Sequence, residues 1–399
     1  MTSRERVLLA LNHQAPDRVP IDLGATRTSG ISVFTYNRLK QALGLSSAPT
    51  RVHDVYQMLG WIEPAVAERL HIDAIMAPKL SHRLGTNLAG WSEWTLHSGD
   101  TVLMPDGFAP ERTAEGDWIL REPGGAYARM PADGYYFDYI ESSFDDEPAD
   151  PAKIRFADWP DEDYRFCGEQ ARRLYEETDK ALVGDFGVSL GRPGSYENWF
   201  VLLALEPGFI KEYYDRKSDH IVRMLEKYRQ AMDDTITTIF FGQDFGTQKG
   251  EMIAPEMFSE LLAPSFKKVF DWIHTHTPWK VFLHCCGSIV NLIPILIDCG
   301  VDILNPVQTS AARMDPQVLK AEFGDRLVFW GAGVDTQRVL PFGTEEEIRD
   351  QVRQRLSTLA GGGGFVFNPI HNIQAGVPAE NIIACFDEAY RAGRNVYAR

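Results

Sequence analysis

Residues 279–287 read WKVFLHCCG, an apolar run that ends on a histidine, two cysteines and a glycine. Five further runs of this kind lie beyond residue 180: ALVGDFGVS (181–189), TITTIFFGQDFG (235–246), VDILNP (301–306), RLVFWGAGVD (326–335) and GGFVFNPIHN (363–372). A helical pattern fills nearly every gap between these runs. Strands that alternate with helices predict a parallel sheet. Because each run is apolar along its length, we expect strands that are buried on both faces.

Two earlier runs, RVPID at 18–22 and HIDAIMA at 71–77, bring the number of predicted strands to eight. Eight such units predict a (β/α)8 barrel, or TIM barrel, as a single domain over residues 1–399. The main alternative is a doubly wound open sheet. It is disfavoured because no GxGxxG motif follows a strand and no P-loop motif occurs anywhere in the chain.

Two additions to the barrel are predicted. Thr2 and Glu5 have the spacing of a capping box, so we expect a helical extension at the N-terminal end. Residues from about 95 to 165 are rich in Gly, Pro, Trp, Tyr and Asp, and they predict an insertion of loops and short strands. The acidic run in this insertion, SSFDDEPADP at 142–151, is interpreted as a solvated surface.

Composition excludes several kinds of partner. The formal net charge of -16 lacks the basic footprint that a nucleic-acid partner requires. The five cysteines form no paired framework, which fits a reducing cytoplasm better than secretion. The apolar stretch Val7–Leu11 is too short for a signal peptide, and no stretch is long enough to span a bilayer. We therefore predict a cytoplasmic protein with neither a nucleic-acid nor a membrane partner.

Polar residues stand where the predicted strands end. On a TIM barrel these strand ends face a common mouth, which is the usual place for catalysis. The residues that the prediction brings to the mouth are Asp244, Gln248, His284, Cys286, Asn305, Gln308, Asp335, Asn368 and His371.

A pair within this set has the character of a metal site. His284 and Cys286 lie two residues apart on an extended segment, so their side chains point to the same side and that of Cys285 to the other. Imidazole nitrogen and thiolate sulfur suit zinc, and a catalytic zinc site has three protein ligands and an open position. His371, at the end of the last strand, is the candidate for the third ligand. The alternative is that these cysteines are structural, because cysteine is among the most buried residue types.

Other polar residues have predicted roles with an open alternative. Asp244 and Asp335 are candidate catalytic residues, as a general base, a further metal ligand or a substrate contact, but either carboxylate can instead cap the helix that follows it. Arg192 in LGRPGSYENW is a candidate for binding a substrate anion, or it forms a surface salt bridge. Substrate binding is also assigned to the amides at the mouth, which are Gln248, Asn305 and Asn368.

Several segments resemble the uroporphyrinogen decarboxylase superfamily. They are TSRERVLLALNHQAPDRVPIDLG (2–24), DFGTQKGEMIAPEMFSELLAPSFKKVF (244–270), HCCGSI (284–289), GVDILNPVQ (300–308), GAGVDTQRVL (331–340) and FNPIHNIQAGVPAENI (367–382). The resemblance is strong from about residue 180 onwards, moderate over the first 80 residues and weak between about 95 and 165. It implies a (β/α)8 barrel with one of two activities, porphyrinogen decarboxylation or zinc-dependent methyl exchange with a corrinoid.

The motifs favour the methyltransferase branch. The decarboxylases carry an RQAGRY-type segment after the first strand and an Asp after the second. This chain has DLGATRTSG, with Arg27 as its only arginine, and Lys79 or Leu80 near the expected Asp. The H-x-C of the methyltransferases is matched by the pair described above. Their further Cys, seven residues before the Pro that opens the last helix, corresponds to His371, which differs in identity but is a competent zinc ligand.

The resemblance therefore implies a zinc-dependent methyltransferase that moves a methyl group between a small methylated substrate and a corrinoid (cobalamin). The substrate class is a methyl ether, as in O-demethylation, a methylamine or a thiol. Because the chain has no DxHxxG corrinoid-ligating motif, we expect the corrinoid on a partner protein or free in solution. Two alternatives stay open: a metal-independent decarboxylase or lyase, and a non-catalytic tetrapyrrole- or corrinoid-binding protein. A homodimer is compatible with each of these interpretations.

Overall fold

The computed structural model describes residues 1–45, 48–122, 127–141 and 150–397. Strands in these ranges are β1 (Thr50–Asp54), β2 (Leu59–Gly60), β3 (Ala74–Ala77), β4 (Asn87–Thr95), β5 (Thr101–Asp106), β6 (Glu111–Arg112), β7 (Trp118–Arg121), β8 (Tyr127–Met130), β9 (Asp138–Glu141), β10 (Ala181–Gly184), β11 (Thr238–Gly242), β12 (Lys280–His284), β13 (Ile303–Asn305), β14 (Val328–Trp330) and β15 (Phe365–Val366).

Helices in the same ranges are α1 (Ser3–Leu11), α2 (Val33–Ala42), α3 (Pro64–Arg69), α4 (Asp161–Glu177), α5 (Tyr196–Leu205), α6 (Pro207–Met232), α7 (Pro255–Leu261), α8 (Ala263–His276), α9 (Ile293–Asp298), α10 (Pro316–Phe323), α11 (Val339–Phe342), α12 (Glu345–Leu359) and α13 (Ala379–Gly393). Within the described part of the chain, none of them has the length and apolar character that a membrane span requires.

Seven of the strands form one parallel sheet in the order β15-β14-β13-β12-β11-β10-β3. Ile21 pairs in parallel with Phe367, just beyond β15, and Asp22 pairs in parallel with Ala74 of β3. Residues 21–22 therefore lie between the two edges of the sheet and close it as an eighth strand position. The predicted (β/α)8 barrel is confirmed, with its strands at the predicted runs.

Side chains fill the interior of the barrel. Small residues on β3 and β10 face larger ones on the other strands, and this cluster includes Ala74, Ala181, Phe240, Phe282, Val328 and Trp330. Val7 and Leu11 of α1 belong to the same cluster, so α1 packs against the barrel interior. The predicted capping box of α1, between Thr2 and Glu5, is present. Because the interior is a packed core, the loops at the strand ends are left to form a site.

The predicted insertion of loops and short strands is present, and it shares one of its sheets with an earlier segment of the chain. It forms two four-stranded sheets, in the orders β2-β1-β5-β4 and β6-β7-β8-β9. The first sheet also contains β1 and β2, which precede the barrel strand β3, because β1 pairs in parallel with β5 through Thr50 and Val102. Such pairing between distant segments leaves no local pattern in the sequence. After the insertion, Asp161–Glu177 form α4. Most of the acidic run, residues 142–149, lies outside the described residues.

Candidate metal centre

The first two candidate ligands come from the end of β12. His284 is the last residue of this strand, and Cys286 follows two residues later. The chain then turns at Gly287, whose φ of +89° lies in the left-handed region, and a Cβ there would lie 2.4 Å from the backbone carbon of Gly246. Only glycine allows so close an approach of the loops that follow β11 and β12. This turn holds Cys286 beside the strand end.

His371 completes the cluster from the loop that follows β15. One ligand atom from each of His284, Cys286 and His371 lies within 4.8 Å of the other two. Nε2 of His284 is 3.2 Å from Sγ of Cys286. The two imidazole rings have centroids 5.3 Å apart and are tilted by 71°. The ligand atoms of a tetrahedral zinc site are roughly 3 to 4 Å apart. The structure thus brings together the three residues that the sequence predicts as ligands.

A network of buried amide and hydroxyl groups orients His284. Asn305, at the end of β13, donates from Nδ2 to the carbonyl oxygen of Trp330 at 2.8 Å. This contact leaves Oδ1 of Asn305 as an acceptor, and it lies 2.7 Å from Nδ1 of His284. The hydroxyl of Thr28 donates to the same oxygen at 3.1 Å. Nδ1 of His284 therefore carries the proton, and Nε2 presents a lone pair toward Cys286.

Burial sets the protonation states of the cluster. It lowers the pKa of His371 to about 3, with the neighbouring His284 as the next cause. It also lowers the pKa of His284. Both imidazoles are therefore neutral near pH 7, which is the form that binds a metal. Burial raises the pKa of Cys286, and the charge of Asp244 raises it further. A bound cation would have to displace the thiol proton, as metals do when they bind cysteine.

Asp244 and Cys285 support the turn in different ways. Oδ1 of Asp244 accepts the backbone N–H of Cys286 at 2.8 Å and lies 3.9 Å from Nε2 of His284. Asp244 is thus the predicted catalytic residue that the structure places beside the cluster. Cys285 is fully buried, and its Sγ accepts the backbone N–H of Phe245 at 3.3 Å. This side chain therefore points away from the ligands, as the alternation along a strand predicts.

The structure also places two further predicted site residues, Asp335 and Arg192. Oδ1 of Asp335 accepts the backbone N–H groups of Gln337 and Arg338 at 3.0 and 2.6 Å, so this carboxylate holds the turn that precedes α11, whose N-cap residue is Arg338. The guanidinium carbon of Arg192 lies 3.7 Å from the centre of the Tyr196 ring.

The amides at the mouth divide into exposed and buried groups. Gln248 is exposed. Gln308 accepts the backbone N–H of Gly287 at 2.8 Å and so supports the turn after Cys286. Asn368 is fully buried and donates to the carbonyl oxygen of Asp22 at 3.0 Å. Asn305 contacts His284 rather than open space, so its position favours an orienting role over the predicted substrate contact.

Thr28 and Asp185 were not predicted from the sequence. Thr28 reaches Asn305 across 277 positions of the chain. Asp185 follows β10 and accepts a hydrogen bond from Nη2 of Arg27 at 2.6 Å. The position of Asp185 after a strand, in ALVGDFGVS, was the available signal for it. No local pattern marks Thr28.

A cavity of about 350 Å³ lies away from this cluster. It is bordered by strand β3 and by residues of α3 and α4, and its apolar lining includes Leu23, Trp61, Ile62, Ile75 and Leu174. Its lining residues include none of the candidate ligands. This apolar cavity is therefore separate from the candidate metal centre.

Comparison with known proteins agrees with the fold. A sequence model of the family described as uroporphyrinogen decarboxylase (URO-D) matches residues 191–392. A solved methyltransferase from Methanosarcina mazei superposes with a TM-score of 0.60 at 17% identity, covering 98% of each chain. At this identity the likeness establishes the fold alone. A D-psicose 3-epimerase with D-fructose aligns at 11% identity over 59% of this chain and 82% of its own, but its TM-score of 0.35 carries no argument. No curated protein sequence matches the chain.

Proposed function

We propose, from the premise that the chain belongs to the uroporphyrinogen decarboxylase family, that it is a zinc-dependent methyltransferase. It exchanges a methyl group between a small methylated substrate and a corrinoid. The observation that carries the proposal is the cluster of His284, Cys286 and His371, whose ligand atoms lie within 4.8 Å of one another.

The donor set of this cluster fits zinc. Two neutral imidazoles and one thiolate are ligands that zinc prefers, and three protein ligands leave one position for a substrate atom. Asn305 sets the tautomer of His284, so that the unprotonated Nε2 faces Cys286. When bound there, zinc would hold a thiol substrate as a thiolate or stabilise the alkoxide or phenolate that leaves a methyl ether.

Residues of the chain would orient both the ligands and the substrate. Asn305 holds the ring of His284, and Asp244 holds the backbone of Cys286. The carboxylate of Asp244 is partly exposed, with 42% of its side-chain surface accessible, so it can also contact a molecule at the mouth. Methyl transfer requires the nucleophile and the methyl carbon in line at close range, which a rigid ligand cluster favours.

The methyl carrier must come from outside the chain. The sequence contains no DxHxxG motif, so we infer that the corrinoid is supplied by a partner protein or from solution. The H-x-C pair matches the motif of the methyltransferase branch, and the fold match to the M. mazei methyltransferase over 98% of each chain agrees with this branch.

The test is a zinc-dependent spectral change. Purified protein is incubated with cob(I)alamin and a panel of methyl ethers and methylamines, and in the reverse direction with methylcobalamin and thiols. We expect interconversion of cob(I)alamin and methylcobalamin that is lost after zinc removal and restored by added zinc. Asp244→Asn should slow it while the zinc content stays unchanged. If neither direction depends on zinc, while metal-free protein releases carbon dioxide from a carboxylated substrate, the lyase alternative replaces this proposal.

A further inference from the structure

The apolar cavity of about 350 Å³ lies on the outer side of the barrel. Ile75 of β3 lines it, on the side of the strand opposite to Ala74, which belongs to the barrel interior. Ala67 of α3 and Leu174 of α4 form other parts of its wall. α3 has six residues, whereas α4 has seventeen. Because a helix as short as α3 extends over only about 9 Å, it covers part of the strand and leaves the cavity beside it.

His53 of β1 brings an unused polar group to this cavity. It lines the cavity, and its surface is only 3% exposed. Within the residues that the structure describes, its imidazole makes no hydrogen bond, and its ring contact is with Trp61, at 5.8 Å between centroids and 85° between planes. Burial lowers the pKa of His53, so the ring is neutral near pH 7 and offers one N–H donor and one acceptor nitrogen. A ligand that bonds to this ring would remove the cost of leaving it without a partner.

The charged residues that line the cavity are paired or exposed. Nη1 of Arg18 lies 2.6 Å from Oδ2 of Asp73. Nζ of Lys180 lies 3.4 Å from Oδ1 of Asp179, and Glu68 is exposed. A charged ligand would leave water without meeting a free counter-charge among these residues, which is costly. The cavity therefore favours a neutral molecule.

We propose that this cavity binds a neutral, largely apolar molecule that carries one hydroxyl group, with the hydroxyl at His53. A hydroxyl both donates and accepts a hydrogen bond, so it suits whichever nitrogen of the imidazole faces the cavity. At the packing density of protein interiors, a cavity of this volume holds roughly a dozen non-hydrogen atoms. The apolar part of the molecule would lie against side chains such as Trp61 and Ile75. None of the candidate metal ligands lines the cavity, so this inference does not rest on the proposed function.

The test compares three probes of similar size, which are 4-propylphenol, propylbenzene and 4-propylbenzoate. Their affinities are measured by ligand-observed NMR with zinc-loaded and with chelator-treated protein. 4-Propylphenol should bind about tenfold more tightly than propylbenzene, as one hydrogen bond to a buried group implies. 4-Propylbenzoate should bind more weakly than 4-propylphenol, because its charge finds no free partner. Removal of zinc should leave all three affinities unchanged.

Three variants locate the probes. His53→Phe keeps a ring of similar volume but has no nitrogen, so the preference for 4-propylphenol should disappear while propylbenzene still binds. His97→Phe is the matched control, because His97 is an exposed histidine between β4 and β5, and it should keep the preference. Ala67→Trp fills the cavity and should abolish the binding of both probes. Circular dichroism verifies the fold of each variant, and His53→Phe decides the question alone if Ala67→Trp does not fold.

Several results would overturn the proposal. Loss of 4-propylphenol binding on removal of zinc would place the probe at the metal centre. A preference that survives in folded His53→Phe, or that His97→Phe loses equally, would exclude the hydrogen bond to His53. Tighter binding of 4-propylbenzoate than of 4-propylphenol would contradict the neutral ligand, and failure of both neutral probes to bind up to their solubility limits would contradict the site. Zinc-independent binding in the expected pattern supports the site even if no methyl transfer is found, so this inference and the proposed function fail separately.

Discussion

Oδ1 of Asn305 lies 2.7 Å from Nδ1 of His284, on the side of the imidazole opposite to Cys286. Both residues end neighbouring barrel strands, because β12 and β13 pair through His284 and Asn305. The register of two strands therefore determines which nitrogen of a candidate ligand is free. A shift of one residue would turn these side chains away from each other.

Removing this contact should weaken metal binding. In Asn305→Leu the ring of His284 loses its acceptor, so we expect zinc affinity to fall about 10- to 100-fold, as for other residues that orient a metal ligand. Asn305→Asp keeps an acceptor oxygen and should lose less. Competition with a chromophoric chelator measures the affinity, and circular dichroism verifies the fold. Unchanged zinc affinity in folded Asn305→Leu would mean that this contact does not orient the ligand.

The ligand set itself predicts a simple pattern of metal content. Purified protein should hold about one zinc per chain, as one three-ligand site requires. Cys286→Ser and His371→Ala should each lose it. Cys285→Ser is the matched control, since this neighbouring thiol points toward Phe245 and should leave the zinc content unchanged. Elemental analysis after gel filtration gives the answer. Loss of zinc from Cys285→Ser alone would mean that the wrong cysteine has been assigned.

If the chain were a decarboxylase of this superfamily, it would have to bind a porphyrinogen. A porphyrinogen carries many carboxylates, whereas the loop in place of the arginine-rich segment has one arginine, Arg27, and it is already paired with Asp185. The net charge of -16 also opposes a polyanion. We expect no release of carbon dioxide from uroporphyrinogen above the rate of a boiled control. Decarboxylation at enzyme-like rates would show that other residues replace the missing arginine-rich segment.

The barrel could be predicted from the sequence because the patterns that indicate its strands and helices are local. Each strand is one apolar run, and the alternation with helices needs no knowledge of distant contacts. The alternation of side chains along a strand likewise placed His284 and Cys286 on one side, and the order of the strands placed His371 across from them.

Distant contacts account for what the sequence did not predict. The bond from Thr28 to Asn305 spans 277 positions, and the pairing of β1 with β5 brings the segment at Thr50 into the insertion. The cluster of three candidate ligands was therefore predictable, while the residues that orient it were not. Asn305 illustrates the limit, since its position at a strand end was foreseen but its contact with His284 was not.

Asp22 lies in the barrel interior, and the titration of its carboxyl group should change the free energy of unfolding. Asp22 is fully buried, and its oxygens accept the indole N–H of Trp330 at 2.7 Å and the backbone N–H of Ala25 at 2.9 Å. Burial raises its pKa to about 7, above the ordinary value of 3.8 that applies in the unfolded chain. Between these values the folded state keeps a proton that the unfolded state has lost. Folding stability should therefore fall as pH rises from about 4 to about 7.

Asp22→Asn removes this titration, because an amide stays neutral at every pH. The midpoint of urea denaturation of Asp22→Asn relative to the unchanged protein should therefore rise between pH 5 and pH 8, whatever the fixed cost of altering the contact with Trp330. Asp271→Asn, on the exposed surface of α8, is the control and should show no such trend over this range. Measurements at each pH unit give the slope. If the difference between Asp22→Asn and the unchanged protein is the same at pH 5 and pH 8, then Asp22 does not change its charge in this range and the interior tolerates its ionised form.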